Sequence, residues 1–197
     1  MLFILLLIKP QAKAQDSILF LNGAVYSGKI LEDLGDYYKM ELKKPGKGKV
    51  KMYAVDKELI FKVRRNDTTL SLYQPDSGSV NDLSIAEMER YVKGEQAAIR
   101  EYRPWVSPTS VVITSLAGAY LGFWGFILPA THLGIQSLYS PKMRSVPGVP
   151  ADLKNDEFFI LGYRDAARKI RNKRMARAAV GGLVAGWTLK VLSAGLR

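Results

Sequence analysis

The sequence predicts an α+β protein in which a small antiparallel β-barrel is followed by an α-helical, glycine-rich membrane hairpin. Three observations carry that prediction. Apolar residues alternate with a period of two from Ser17 to Tyr73. A helix with its own capping residues starts after Ser84. Residues 105–141 contain no Lys, Arg, Asp or Glu.

In the first region Tyr38, Met40 and Leu42 alternate with Tyr37, Lys39 and Glu41. Val50, Met52 and Ala54 alternate with Lys49, Lys51 and Tyr53, and Leu59, Phe61 and Val63 with Ile60 and Lys62. Each apolar set is expected to line the buried face of a strand. Asn22-Gly23, Leu34-Gly35-Asp36, Pro45-Gly46-Lys47-Gly48 and Arg65-Asn66-Asp67 supply turns, with Gly or Asn where a positive φ is needed. Short strands packed this densely gain stability by curling, so the sheet is expected to form a barrel over residues 15–77.

Leu21-Asn22-Gly23, followed after four residues by Gly28-Lys29-Ile30, resembles the first half of an Sm-like or SH3-like small barrel. The resemblance implies that Gly28 permits a sharp bend in the second strand. In RNA-binding Sm proteins an Asp and an Asn follow, and the matching positions here are Leu34 and Tyr38. It therefore implies the fold without the RNA site.

Ahead of the barrel, Leu2–Ile8 is an unbroken apolar run and Ala12-Lys13-Ala14 is a small-x-small cleavage pattern, so residues 1–14 are expected to be a signal peptide. No basic residue precedes the run, a departure from the usual plan. The 197 residues carry a formal charge of +11, concentrated in residues 39–65 and 164–177, which favours anionic surfaces. With no Cys and one His, disulfides, thiolate nucleophiles and Cys-based metal sites are excluded.

After a linker, Ser84-Ile85-Ala86-Glu87 is a capping box. It opens a helix within residues 78–104 that places Ile85, Met88, Val92 and Ile99 on one side. Membrane segment 1, residues 105–141, is densest at Val111–Leu128, a length that spans a hydrocarbon core. Trp105, Tyr120 and Trp124 stand as interfacial anchors, and Thr114, Gly118 and Gly122 form a small-residue face. Residues 130–139 read either as a re-entrant return or as an interfacial segment. A Pro-rich linker, residues 142–157, leads to residues 158–197, a basic helix with membrane segment 2. Asn155 is expected to cap that helix, and Ala178, Gly182 and Gly186 to form its second small-residue face.

Tyr91-Val92-Lys93-Gly94-Glu95-Gln96-Ala97-Ala98 matches Phe159-Ile160-Leu161-Gly162-Tyr163-Arg164-Asp165-Ala166 without a gap, suggesting one helical unit used twice. Gly94, Ala98, Gly162 and Ala166 join Gly118, Gly122, Gly182 and Gly186 as expected helix-packing positions. This Gly-x-x-(Ala/Asp)-Ala spacing resembles small envelope proteins of Gram-negative bacteria.

Phosphate loops, dinucleotide fingerprints, zinc-protease motifs and nucleophile elbows are all missing from the sequence. Gly46-Lys47-Gly48-Lys49 reads as a hairpin tip, and Glu32, Asp33 and Asp36 as a polar turn or a cation-holding loop. His132 reads as a proton-relay or an interfacial residue. Arg164, Arg168, Lys169, Arg171, Lys173, Arg174 and Arg177 are expected to meet lipid headgroups or an acidic partner. If Val111–Leu128 crosses once, they lie on the cytoplasmic side and the barrel in the periplasm. No enzyme activity and no cofactor are expected. The expected partners are membrane lipid and a larger membrane protein complex, with no nucleic acid and no small-molecule substrate. The alternatives are an Sm-like nucleic-acid adaptor and an oligomeric pore or transporter.

Overall fold

A computed structural model describes residues 16–43, 50–66, 68–76, 82–143 and 149–195. The expected signal peptide and the Gly46–Lys49 tip lie outside them. The protein is α+β and divides into two compact units, residues 1–78 and 79–197.

The first unit is a six-stranded antiparallel sheet in the order β4-β3-β2-β1-β5-β6. Its strands are β1 (Asp16–Phe20), β2 (Val25–Asp33), β3 (Tyr37–Lys43), β4 (Val50–Asp56), β5 (Ile60–Arg65) and β6 (Thr68–Ser71). The turns form where Gly or Asn was expected, with positive φ at Gly23, Gly35 and Asn66. Ile18, Ile30, Tyr38, Met40, Ile60 and Val63 make the core. Gly28 sits on the ladders to both β1 and β3, and a Cβ there would meet the Glu41 carbonyl.

Two expectations change. The sheet is open, with β4 and β6 as its edges, because β6 folds back on β5 and takes the edge that closure would need. On β4, Val50 and Met52 are exposed. Tyr38 pairs with Val55 and Met40 with Tyr53, so the β4 residues sharing the core face are Val55 and Tyr53, and the set Val50, Met52, Ala54 falls on the opposite face. Leu59 is likewise exposed, since it ends a 3-10 turn, Lys57–Leu59, capped by Asp56 before β5 begins.

The second unit contains α1 (Ile85–Glu101), α2 (Val106–Tyr120), α3 (Ile127–Leu138), a short turn α4 (Ala151–Lys154) and α5 (Glu157–Gly195). The capping box forms as expected: the Ser84 hydroxyl accepts from the Glu87 amide, and the Ser84 amide donates to the Glu87 carboxylate. The buried face of α1 is Val92, Gly94, Glu95, Ala97 and Ala98, while Ile85 and Ile99 are exposed. Small residues win that face because another helix backbone lies directly against it.

Val111–Leu128 is two helical pieces. The chain leaves α2 after Tyr120, turns at Gly122 with φ +71, and returns through a 3-10 stretch into α3. The basic helix and membrane segment 2 are instead one helix of 39 residues. Asp156, one residue after the expected Asn155, accepts the Phe159 amide at 2.9 Å. Asn155 ends α4.

Candidate functional site

The repeated units pack on each other. A Cβ on Gly94 would fall on the Phe159 carbonyl oxygen, and a Cβ on Gly162 on the Tyr91 carbonyl oxygen. Ala98 and Ala166 are buried in the same core, with Ala97, Phe159, Tyr163 and Ala167. Hydrogen in place of a side chain lets the two backbones approach here.

Beside this crossing lies a polar cluster that sequence reasoning missed. Glu95 is 1% exposed, and one of its oxygens takes the Lys169 ammonium at 3.3 Å. The other carboxylate oxygen is buried without a hydrogen bond. Burial raises the Glu95 pKa above the usual carboxylate value, Lys169 opposes that rise, and Asp165 adds to it. The Tyr91 hydroxyl donates to Asp165 at 3.0 Å, and burial also raises its pKa. The available signal was an acid between Gly94 and Ala98 on the small-residue face.

Along α2 the contacts run in parallel with α5. A Cβ on Gly182 would lie 2.7 Å from the Ser115 Cβ, and one on Gly186 would lie 2.5 Å from the Ala119 Cβ. Gly118 meets Gly125, on the turn after α2, and not α5. Gly122 has open space around it, so its packing role is corrected to that of a turn residue whose positive φ only Gly adopts easily. Thr114 returns its hydroxyl to the Ser110 and Val111 carbonyls of its own helix.

Helices α2 and α3 are antiparallel, tied by Ser107 to Gln136 at 3.5 Å and by Ser110 to His132 at 3.0 Å. His132 thus belongs between helices, with a serine hydroxyl as its partner. Among the residues that point away from these contacts, Ile113, Leu121, Ile127, Ile135 and Leu138 are exposed, as are Val180, Val184 and Val191 on α5, together with Thr109, Thr131, Thr188 and Lys190. Trp105 and Tyr120 are exposed at the two ends of α2. The Trp124 side chain lies outside the described residues.

The seven basic residues separate into two kinds. Arg171 is 5% exposed and donates to the Tyr139 carbonyl at 2.7 Å, closing the C-terminal end of α3. Its guanidinium is enclosed within the helical unit, unlike the exposed position expected of a headgroup or partner contact. Arg168 donates to Ser140 at 2.8 Å, Arg174 reaches the Pro104 carbonyl at 3.5 Å, and Lys169 holds Glu95. Arg164, Lys173 and Arg177 are exposed. Because Arg171 and Arg174 bind the two ends of the α2–α3 pair, the basic stretch is at the end where that pair starts and finishes.

In the first unit the acidic loop is a polar turn. Asp33 accepts from Lys57 at 2.6 Å, which lowers its pKa, and Glu32 pairs with Lys39 at 3.1 Å. No group of three or more His, Asp or Glu that could hold a metal ion occurs among the described residues. Tyr38, at the Sm-like Asn position, is buried under Lys57, whose ammonium lies 4.6 Å from the ring centre. A second missed residue is Asp16, a buried carboxylate that takes the Ile30 amide at 3.0 Å.

No family model matches the chain, and neither a curated protein nor a solved structure matches it.

Proposed function

We propose that the chain is a non-catalytic membrane-embedded accessory protein that docks onto a larger membrane complex, with its sheet binding a polypeptide. The observation that carries this reading is the inside-out arrangement of α2, α3 and the distal half of α5. Ser107 and Ser110 pair with Gln136 and His132 between helices, the hydroxyls of Thr109, Thr114, Thr131 and Thr188 return to their own helices, and the large outward residues are mostly apolar, up to Leu138 at 81% exposure. Soluble units bury such residues, whereas lipid chains accept them. Helix α5 is long and apolar enough to cross a membrane. The open edge of β4 supports strand addition by a polypeptide.

We place the sheet in the bacterial periplasm, on the strength of Leu2–Ile8 and Ala12-Lys13-Ala14. One observation favours a cytoplasmic sheet with an uncleaved N-terminus: the chain offers no apolar segment between the sheet and α2, and both ends of the hairpin lie at the basic stretch, the side that positive charge marks as cytoplasmic. Alkaline carbonate extraction of native membranes tests the embedding, with the protein expected in the pellet. Sequencing of the mature N-terminus separates the compartments, beginning at Gln15 for export and at Met1 for the cytoplasm.

A further inference from the structure

We propose that α2 and α3 form a re-entrant hairpin that enters and leaves the bilayer on the same side, the side of the basic half of α5. The proposal rests on the membrane reading above and adds the hairpin's topology and its lipid contacts.

Length is the first argument. Helix α2 has 15 residues and α3 has 12, about 22 Å and 18 Å at the α-helical rise, against a hydrocarbon core of about 30 Å. Neither crosses alone, and the positive φ of Gly122 prevents them from adding end to end. Pairing is the second. Ser107 meets Gln136, Ser110 meets His132 and Gly118 meets Gly125, three levels of one antiparallel hairpin from its mouth to its tip.

The third argument fixes the mouth. Arg174 bonds the carbonyl of Pro104, just before α2, and Arg171 bonds the carbonyl of Tyr139, just after α3. Two arginines one turn apart on α5 therefore hold both ends. At the tip, Lys190 reaches the Tyr120 carbonyl at 3.2 Å. The surface so built has acyl chains as its occupant, on Ile113, Leu121, Ile127 and Ile135, and a collar at the mouth where Arg164, Lys173 and Arg177 are exposed to headgroup phosphates.

The absence of native cysteine makes a clean test. Full-length single-cysteine variants Val106→Cys, Tyr139→Cys, Lys173→Cys and Leu121→Cys are placed in sealed vesicles of phosphatidylethanolamine and phosphatidylglycerol and treated with a membrane-impermeant maleimide. All four positions are exposed, so the fold is left intact. Val106→Cys, Tyr139→Cys and Lys173→Cys should label to the same fraction in each preparation, whatever the mixture of orientations. Leu121→Cys should stay below about a tenth of that fraction until detergent is added. Thr109→Cys, about one turn from Val106, and Leu138→Cys, next to Tyr139, repeat the comparison. Complementary fractions at the 106 and 139 positions would mean a crossing and would overturn the hairpin while leaving the embedding intact. Failure of the protein to float with the vesicles would overturn the membrane reading itself.

Discussion

Gly94 and Gly162, 68 positions apart in the chain, each face a carbonyl that lies three residues before the other: Phe159 for Gly94, and Tyr91 for Gly162. Since Phe159 and Tyr91 are also equivalent in the repeat, the contact is reciprocal. The two copies of one sequence unit cross as the halves of a two-fold pair would. Beyond this crossing the symmetry lapses, because Gly186 packs on α2 while its equivalent Gly118 is used by the returning turn.

Methyl groups at the crossing have nowhere to go. Gly94→Ala and Gly162→Ala should each lower the stability of the helical unit by about 1–3 kcal/mol, as overpacking does, and the double variant should fall short of the sum. Gly181→Ala is the control. It lies on the exposed side of α5 with open space around it, and should stabilise by up to about 1 kcal/mol through helix propensity. Thermal unfolding in detergent followed by circular dichroism reads all four.

Glu95 predicts a dependence on pH. Its folded pKa is raised by burial, so folding favours the protonated acid. The stability this gives is full below the unfolded value, near 4.5, and is lost as pH rises through the folded value. The unit should therefore melt higher at pH 4.5 than at pH 7. Glu95→Gln should flatten that difference and raise the pH 7 midpoint. Lys169→Ala, which leaves the acid without its cation, should lower the pH 7 midpoint and steepen the dependence.

Arg171 and its exposed neighbours should respond in opposite ways. Arg171→Ala leaves the Tyr139 carbonyl and the end of α3 without a donor and should destabilise by about 1–3 kcal/mol. Arg164→Ala and Lys173→Ala should leave unfolding unchanged but weaken binding to vesicles containing phosphatidylglycerol, by about 1 kcal/mol per charge. Vesicle sedimentation at two salt concentrations measures the second effect.

Ser110→Ala removes the partner of His132 at 3.0 Å. Interhelical hydrogen bonds of this kind are worth about 0.6–2 kcal/mol in a membrane unit. The variant should lower the unfolding midpoint in detergent accordingly, and Ser193→Ala, whose hydroxyl only returns to its own helix, should not.

The legible parts of this fold are those decided locally. The capping box at Ser84 and the positive φ at Gly23, Gly35 and Asn66 depend on residues close in sequence, and each was readable. The face of β4 was not, because strand register is set by the partner strand: Val50 and Met52 alternate correctly but pair on the outer side. The break at Gly122 hid inside an uncharged run, where hydropathy is the same for one long helix or two short ones. Arg171 showed the opposite difficulty. It sits in a basic run that reads as surface, and only the approach of Tyr139 from 32 residues away encloses it.

The uninterrupted length of α5 has a mechanical consequence. Its 39 residues make a rod of about 58 Å that touches Gly94 near one end and Ala119 toward the other. The neighbouring strand of structure is jointed, since the chain leaves helical geometry between Glu101 and Val106. The distal half of the rod is therefore joined to the segment that carries Asp165 and Lys169 by unbroken helical hydrogen bonding, whereas the α1–α2 side is interrupted at residues 102–105, beside the carbonyl held by Arg174.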